Sequence, residues 1–312
     1  MQNNQIIALF GAGYIGRYLV PELCKAGYRI KIATRNPHLK NYLRGNPGQV
    51  ELFKTNLKNP EDIKRVLNNC DLAINLVGIL NEKKNQKFEQ IHSLFPQLLA
   101  KLCNESGSSI KRLIHISALG VQKRHTSKYM QTKLQGEINI QDNFKSSVIL
   151  RPSLVFGGPE DKFFNTFASI AQFSPALPLI GGGKTKFSPI YVGDVARAIV
   201  KSLRLNNLEP KIYELGGPKN YSFKELMEIL LKEIRKKRFL IPIPWSFAKF
   251  QSYFLQMLPN PLLTPDQVEM LKYNNIVSGV YPTLKDLGIS GTSIKSILPK
   301  YIYRFRAGGQ FG

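Results

Sequence analysis

At 312 residues, 43% hydrophobic and 21% charged, the chain has the composition of a soluble globular protein and room for one large domain or two modest ones. Lys and Arg number 44 against 21 Asp and Glu, and the resulting +23 favours anionic partners: phosphorylated ligands, an anionic membrane or an acidic subunit face. No run of about 18 apolar residues is present to span a bilayer, and no nucleic-acid-binding module accompanies the charge, so neither a transmembrane span nor nucleic acid is expected.

The basic residues are scattered, with one dense run at Arg235-Lys236-Lys237-Arg238; a chain that simply solvates its faces with lysine gives the same count. Cys24, Cys70 and Cys103 are odd in number and far apart, which argues for buried thiols in a reducing compartment. The histidines at 38, 92, 115 and 125 form no metal-spaced pair with a second ligand, and no metal is expected. With no signal peptide ahead of the first apolar run, the chain reads as a bacterial cytoplasmic protein starting at Met1.

The first element is a short apolar run, Ile6–Phe10, that ends in Gly11-Ala12-Gly13-Tyr14-Ile15-Gly16 and passes into a helix with Leu19, Val20 and Leu23 on its apolar stripe and Gly27 at its end. Gly11 permits a sharp turn, Gly13 lets a pyrophosphate approach the backbone, and Gly16 lets helix and strand pack closely. The helix N-terminus then offers free N–H groups to the phosphates. Tyr14 and Ile15 lie within this turn and share its cofactor-binding role, as does Val77 at the end of a later strand.

Arg29–Thr34 reads as the second strand. NAD-binding chains place Asp or Glu at the end of this strand to hold the ribose. Here Arg35 stands there, suited to a 2′-phosphate, so NADP(H) is expected in preference to NAD(H). Val50–Lys54 is a third strand, with Asn56 and Leu57 beyond its carboxyl end where ligands bind. Helix Pro60–Leu67, strand Leu72–Val77, helix Phe88–Cys103 and strand Arg112–Ser117 continue the alternation of a doubly wound parallel α/β sheet.

Ser127–Asn143 is helical and carries Tyr129 and Lys133 four residues apart on one face. In that arrangement Lys133 would lower the Tyr129 phenol toward working pH, and Ser117 could hydrogen-bond a substrate carbonyl. The spacing alone is weak evidence, since Tyr281 and Lys285 match it in a Pro-containing loop.

Gly11, Gly13 and Gly16, Ser117, Tyr129 with Lys133, and Arg151-Pro152-Ser153-Leu154-Val155-Phe156-Gly157 together resemble the short-chain dehydrogenase/reductase superfamily in its extended or atypical branch. Phe10 departs from that branch, which often has a glycine there. The second half is similar to one group within it, through Phe163-Phe164-Asn165, Pro178–Gly183, Tyr191–Ala196, Tyr213–Pro218 and the tail Leu298–Phe311. That group is the NADPH-binding accessory subunit family of respiratory complex I (NADH:ubiquinone oxidoreductase). The resemblance implies a Rossmann domain over 1–157 and a smaller C-terminal cap over 158–312, with about 189–216 returning to the sheet. It further implies a tightly held NADPH, complex I subunits as partners, and a peripheral place on the inner membrane. A working NADP-dependent reductase, epimerase or dehydratase using Ser117, Tyr129 and Lys133 stays open beside it.

Three features of the second half are read as structural. Asp194 is expected to N-cap a helix Val195–Leu203; Ser222 to Glu225 forms a capping box; and Thr264-Pro265-Asp266 opens another helix. Trp245–Leu258 places Phe247, Phe250, Phe254, Met257 and Leu258 on one face, opposite Lys249, Ser252 and Gln256. A core helix is the expected outcome, with an in-plane membrane or subunit contact as the alternative.

Overall fold

Strand β1 (Ile6–Phe10) is buried on both faces and runs through Gly11, at φ +98°, into α1 (Tyr14–Lys25). Then come β2 (Arg29–Thr34), β3 (Val50–Lys54), α2 (Pro60–Leu67), β4 (Leu72–Asn75), α3 (Phe95–Asn104), β5 (Arg112–Ile116), α4 (Lys128–Asn143) and β6 (Ser147–Pro152). The computed structural model describes residues 4–45, 49–105, 107–122, 126–205, 211–258 and 261–309, so His125, Gln310 and Phe311 lie outside the described residues.

After β6 the chain forms β7 (Val155–Phe156), α5 (Lys162–Phe173), β8 (Ala176–Ile180), β9 (Lys186–Phe187), β10 (Ile190–Tyr191) and α6 (Val192–Leu203). It continues with β11 (Lys211–Leu215), β12 (Tyr221–Ser222), α7 (Phe223–Glu233), β13 (Phe239–Ile243), α8 (Trp245–Leu255), α9 (Pro265–Leu271), α10 (Ile294–Ile297) and α11 (Pro299–Ile302).

Seven strands make one sheet in the order β11-β6-β5-β4-β1-β2-β3, every pair parallel. Parallel neighbours need crossover helices, and those helices cover both faces of the sheet. On one face Ile7, Leu9, Ile30 and Ile32 pack with Leu19, Val20 and Leu23 of α1 and Val195 and Ile199 of α6. On the other, Ala8, Phe10 and Ala73 meet Ile63 and Val66 of α2 and Phe95 and Leu99 of α3. The doubly wound parallel α/β fold expected from the alternation is the one observed. Strand order reverses between β1 and β4, the place where such sheets bind ligands at their carboxyl ends.

Beside this sheet, Phe156, Phe164, Leu177, Phe223, Leu226, Met227, Leu298 and Tyr301 form a second core from α5, α7, β8 and the tail. The expected capping box of Ser222 with Glu225 opens α7, and the helix expected at Thr264-Pro265-Asp266 is α9, opened by a further box of Thr264 with Gln267.

Two expectations fail here. Asp194 caps nothing: α6 already begins at Val192, and Asp194 lies in its first turn, fully buried. Its carboxylate instead accepts from Thr292 N at 2.6 Å and Thr292 Oγ1 at 2.8 Å, and pairs with Arg197, tying the tail to α6. The core reading of Trp245–Leu258 is also wrong. Only Ala248 and Ser252 of α8 are buried, whereas Phe250 is 63%, Phe254 61% and Met257 81% exposed. The small residues are the ones that let α8 sit close to α9, so the aromatic face is left outward.

Candidate functional site

The turn after β1 is built as its glycines require. A Cβ on Gly11 would stand 3.0 Å from Val77 N and 3.1 Å from Leu76 C, and one on Gly16 would stand 3.0 Å from Gly11 O. Gly13, by contrast, faces open space, and no side chain caps the N-terminus of α1. The free N–H groups and helix dipole there suit a pyrophosphate, which can approach Gly13 without meeting protein. Tyr14 donates to Gly157 O at 2.6 Å, joining the turn to the loop after β7. Ile15 packs against the core of the α1 face.

The other cofactor-binding candidates lie along neighbouring strand ends. Arg35 is exposed beyond β2, with no hydrogen bond or ion pair among the described residues. Asn56 is held in a turn: its N–H donates to Asp62 at 2.8 Å, and its side-chain oxygen accepts from Lys58 N at 3.1 Å. Leu57 and Val77 are partly buried against the α2/α3 core, and Val77 N–H donates to Asn75 Oδ1 at 2.9 Å. The sheet order sets β4, β1, β2 and β3 side by side, so these residues share one rim.

Ser117, Tyr129 and Lys133 are all buried. Ser127 Oγ accepts from Met130 N and starts α4, which carries Tyr129 and Lys133 on the same side of the helix. Lys133 Nζ donates to Ile116 O at 3.0 Å, immediately before Ser117. Ser117 Oγ has no partner among the described residues, so a buried hydroxyl is free to meet a ligand. Burial lowers Lys133 from 10.5 to about 8, with the nearby Glu137 carboxylate opposing the shift. The expected lowering of the phenol is contradicted. Burial, with Asp266 second, pushes Tyr129 up to about 12, so it is a protonated donor at neutral pH.

Residues that the sequence left unassigned pack around Tyr129 and Lys133. His92 sits in a π-helical turn, Glu89–Leu94, with its ring 5.1 Å from that of Tyr129 and stacked on Phe88 at 5.3 Å. Its Nε2 accepts from Ile79 N at 3.1 Å, and burial lowers its pKa to about 2, so it is neutral. The Nδ1 side meets Thr132 Oγ1 at 3.3 Å. His115 on β5 is likewise kept neutral by burial and pairs with Asn75 at 3.1 Å. Sequence offered no signal for His92, because its position depends on α4 lying against the π turn. Asp266 was read only as part of a helix start, yet it reaches across to α4: Ser127 Oγ and Lys128 N donate to it at 2.8 and 2.6 Å.

A dinucleotide turn, a buried Ser, Tyr and Lys, and a parallel sheet whose strand order reverses beside that turn define a Rossmann-type protein of the short-chain dehydrogenase kind. Residues 7–216 match the NAD dependent epimerase/dehydratase family, and the chain belongs to it. Over 97% of its length it is 32% identical to NADH dehydrogenase [ubiquinone] 1 alpha subcomplex subunit 9, mitochondrial, of Arabidopsis thaliana, covering 79% of that protein. The Mus musculus subunit of the same name is 29% identical over 93% of this chain and 78% of its own. Among solved structures, UDP-glucuronic acid 4-epimerase from Bacillus cereus, in complex with UDP-glucuronic acid and NAD, superposes with a TM-score of 0.67 at 20% identity, covering 96% of this chain and 99% of that one. These matches agree on the fold, and the family is one of nicotinamide-nucleotide binders.

Proposed function

We propose that this protein is an accessory or assembly subunit of respiratory complex I that holds NADP(H) without turning it over. The observation that carries the reading is the near end-to-end similarity to the mitochondrial complex I subunit, 32% identical across 97% of the chain. The residues assigned to the nucleotide are Gly11, Gly13, Tyr14, Ile15 and Gly16 at the pyrophosphate, Asn56, Leu57 and Val77 along the rim, and Arg35 at the 2′-phosphate. Tyr129 and Lys133 hold the nicotinamide ribose, and the unpartnered Arg35 supports NADP(H) over NAD(H).

Its place is the cytoplasmic face of a bacterial inner membrane, attached peripherally through the second half. The exposed aromatic face of α8 and the Arg235–Arg238 run support that attachment. Among the described residues no helix is long and apolar enough to cross a membrane. The test is purification of the tagged protein from native membranes in mild detergent, with a native gel stained for NADH dehydrogenase and chromatography of extracted nucleotide. Co-migration with the complex and release of NADPH are expected. Recovery wholly in the soluble fraction, with no co-migrating complex, would overturn the reading.

A second reading, an NADP-dependent reductase, epimerase or dehydratase, draws on one observation: Ser117, Tyr129 and Lys133 are each buried, and the Ser117 hydroxyl lacks a partner among the described residues. The nucleotide would supply or accept the hydride. Ser117 would donate to the substrate carbonyl, Tyr129 would pass the proton, and Lys133 would provide positive charge beside them. Robust NADPH oxidation abolished by Tyr129→Phe would favour this reading.

A further inference from the structure

We propose that residues 264–277 form a lid closed over Tyr129 at the start of α4, and that Asp266 is its latch. The proposal deepens the reading of a nucleotide held without turnover, and it rests on that reading for its role.

The latch grips the start of α4. A helix leaves its first four N–H groups without intrahelical partners, and negative charge at that end is stabilising. Ser127 Oγ takes one of them, from Met130. Asp266 takes two more, accepting from Lys128 N at 2.6 Å and Tyr129 N at 3.2 Å, and it also accepts from Ser127 Oγ at 2.8 Å. One carboxylate, well over 100 residues away in the chain, thus caps the helix that bears Tyr129 and Lys133. Charged contacts of this type are stronger than neutral ones.

Other contacts hold the cover down along its length. Thr126 Oγ1 donates to Glu269 at 3.3 Å. Met270 packs against the cluster of Phe88, Ala118, Val121, Tyr129 and Met130. Asn275 Nδ2 donates to Leu119 O at 2.7 Å, and Asn275 Oδ1 accepts from Ser153 Oγ at 2.6 Å. The far end of the segment is therefore pinned to the loop that follows Ser117. Beneath it Tyr129 is 8% and Ser117 4% exposed, while Asp266, Glu269, Met270 and Asn275 are themselves only partly buried, as expected of a cover. Lifting the segment off Tyr129 has to displace Met270 and break the Asp266 contacts. On its α4 side the segment is held by polar contacts and Met270, while Val268, fully buried with Ile180 and Ala248, anchors its other side, so release from α4 leaves the sheet folded.

The test uses the full chain and two readouts, hydrogen exchange at single amides and acetylation of tyrosines by N-acetylimidazole followed by mass spectrometry. In the wild type, the amides of Lys128 and Tyr129 should exchange slowly, and Tyr129 should stay unlabelled while the half-exposed Tyr42 and Tyr253 react. Asp266→Ala should speed exchange at those two amides and labelling of Tyr129 by at least about tenfold, with the amides of Gly136–Ile140 unchanged. Asp266→Asn, which keeps one acceptor, should fall between. Labelling of wild-type Tyr129 at the rate of Tyr42, or an unreactive Tyr129 in folded Asp266→Ala, would overturn the lid. If Asp266→Ala does not fold, wild-type exchange decides: fast exchange at Lys128 and Tyr129 refutes the latch, and slow exchange supports it. None of these readouts involves nucleotide or complex I, so failure of the lid and failure of the subunit reading are separate results.

Discussion

Arg151 on β6 grips Glu137 on α4 through two hydrogen bonds, Nε to Oε1 at 2.9 Å and Nη2 to Oε2 at 2.5 Å, with both side chains buried. The guanidinium also lies 4.9 Å from the centre of the Tyr281 ring. This fork ties the helix of Tyr129 and Lys133 to the sheet, and the Glu137 charge favours the protonated form of Lys133. A buried pair is costly to break, because the surviving charge has no water to turn to.

Glu137→Ala is therefore expected to lower stability by about 3–5 kcal/mol, read from urea unfolding. Replacing both partners by Met should recover a large part of that loss. A single variant within about 0.5 kcal/mol of wild type would show that the pair does not act as a buried ion pair.

Gly136→Ala is expected to disrupt the same helix contact. A Cβ at Gly136 would stand 1.9 Å from the carbonyl oxygen of His92, and backbone cannot step aside as a flexible side chain can. Although alanine is the better helix former, a loss of more than about 2 kcal/mol is predicted, together with displacement of His92 from Tyr129. A crystal structure or a melting curve of the variant matching wild type would refute it.

Lys133 gives a pH signature. Its folded pKa of about 8 lies below the unfolded value of 10.5, so between the two the unfolded chain binds more protons than the folded one. By linkage, this residue makes stability rise as pH climbs through that window, and it subtracts from stability at neutral pH. In the absence of nucleotide, the stability of Lys133→Met relative to wild type should fall by up to about 3 kcal/mol between pH 7 and pH 10.5. Calorimetry across that range measures it, and a pH-independent difference would rule out the buried ammonium. The same variant should bind NADPH more weakly.

Arg35 is predicted to set the choice of nucleotide. Wild type should bind NADPH more tightly than NADH, and Arg35→Asp should shrink that preference by at least about tenfold through loss of the charge facing the 2′-phosphate. Isothermal titration with both nucleotides tests it. Equal affinities in the wild type would remove Arg35 from the role.

The aromatic face of α8 should bind anionic lipid. Phe250 and Phe254 are in edge contact at 5.3 Å and both point outward, so Phe250→Glu with Phe254→Glu removes apolar area without emptying the core. Wild type is expected to sediment with phosphatidylglycerol vesicles more than with phosphatidylcholine vesicles, and the double variant to stay in solution at moderate salt. Identical sedimentation of variant and wild type would exclude this face.

The features that sequence alone determined are those whose cause lies within a few residues. Gly11 and Gly16 encode their turn because only glycine accepts that backbone or that closeness, and the box at Ser222 satisfies a helix end with a side chain three residues away. Strand and helix alternated legibly because apolar periodicity reflects a single backbone geometry, and the alternation then implied the parallel sheet. What stands opposite a side chain has no local trace. The stripe on α8 has the periodicity of a core helix, but the fold buries Ala248 and Ser252 and turns the phenylalanines outward. Asp194 resembles a cap and instead binds Thr292, while Asp266 resembles a helix start and caps a different helix. The phenol of Tyr129 rises rather than falls because burial and the Asp266 charge both raise it, and both depend on segments far apart in the chain meeting at α4.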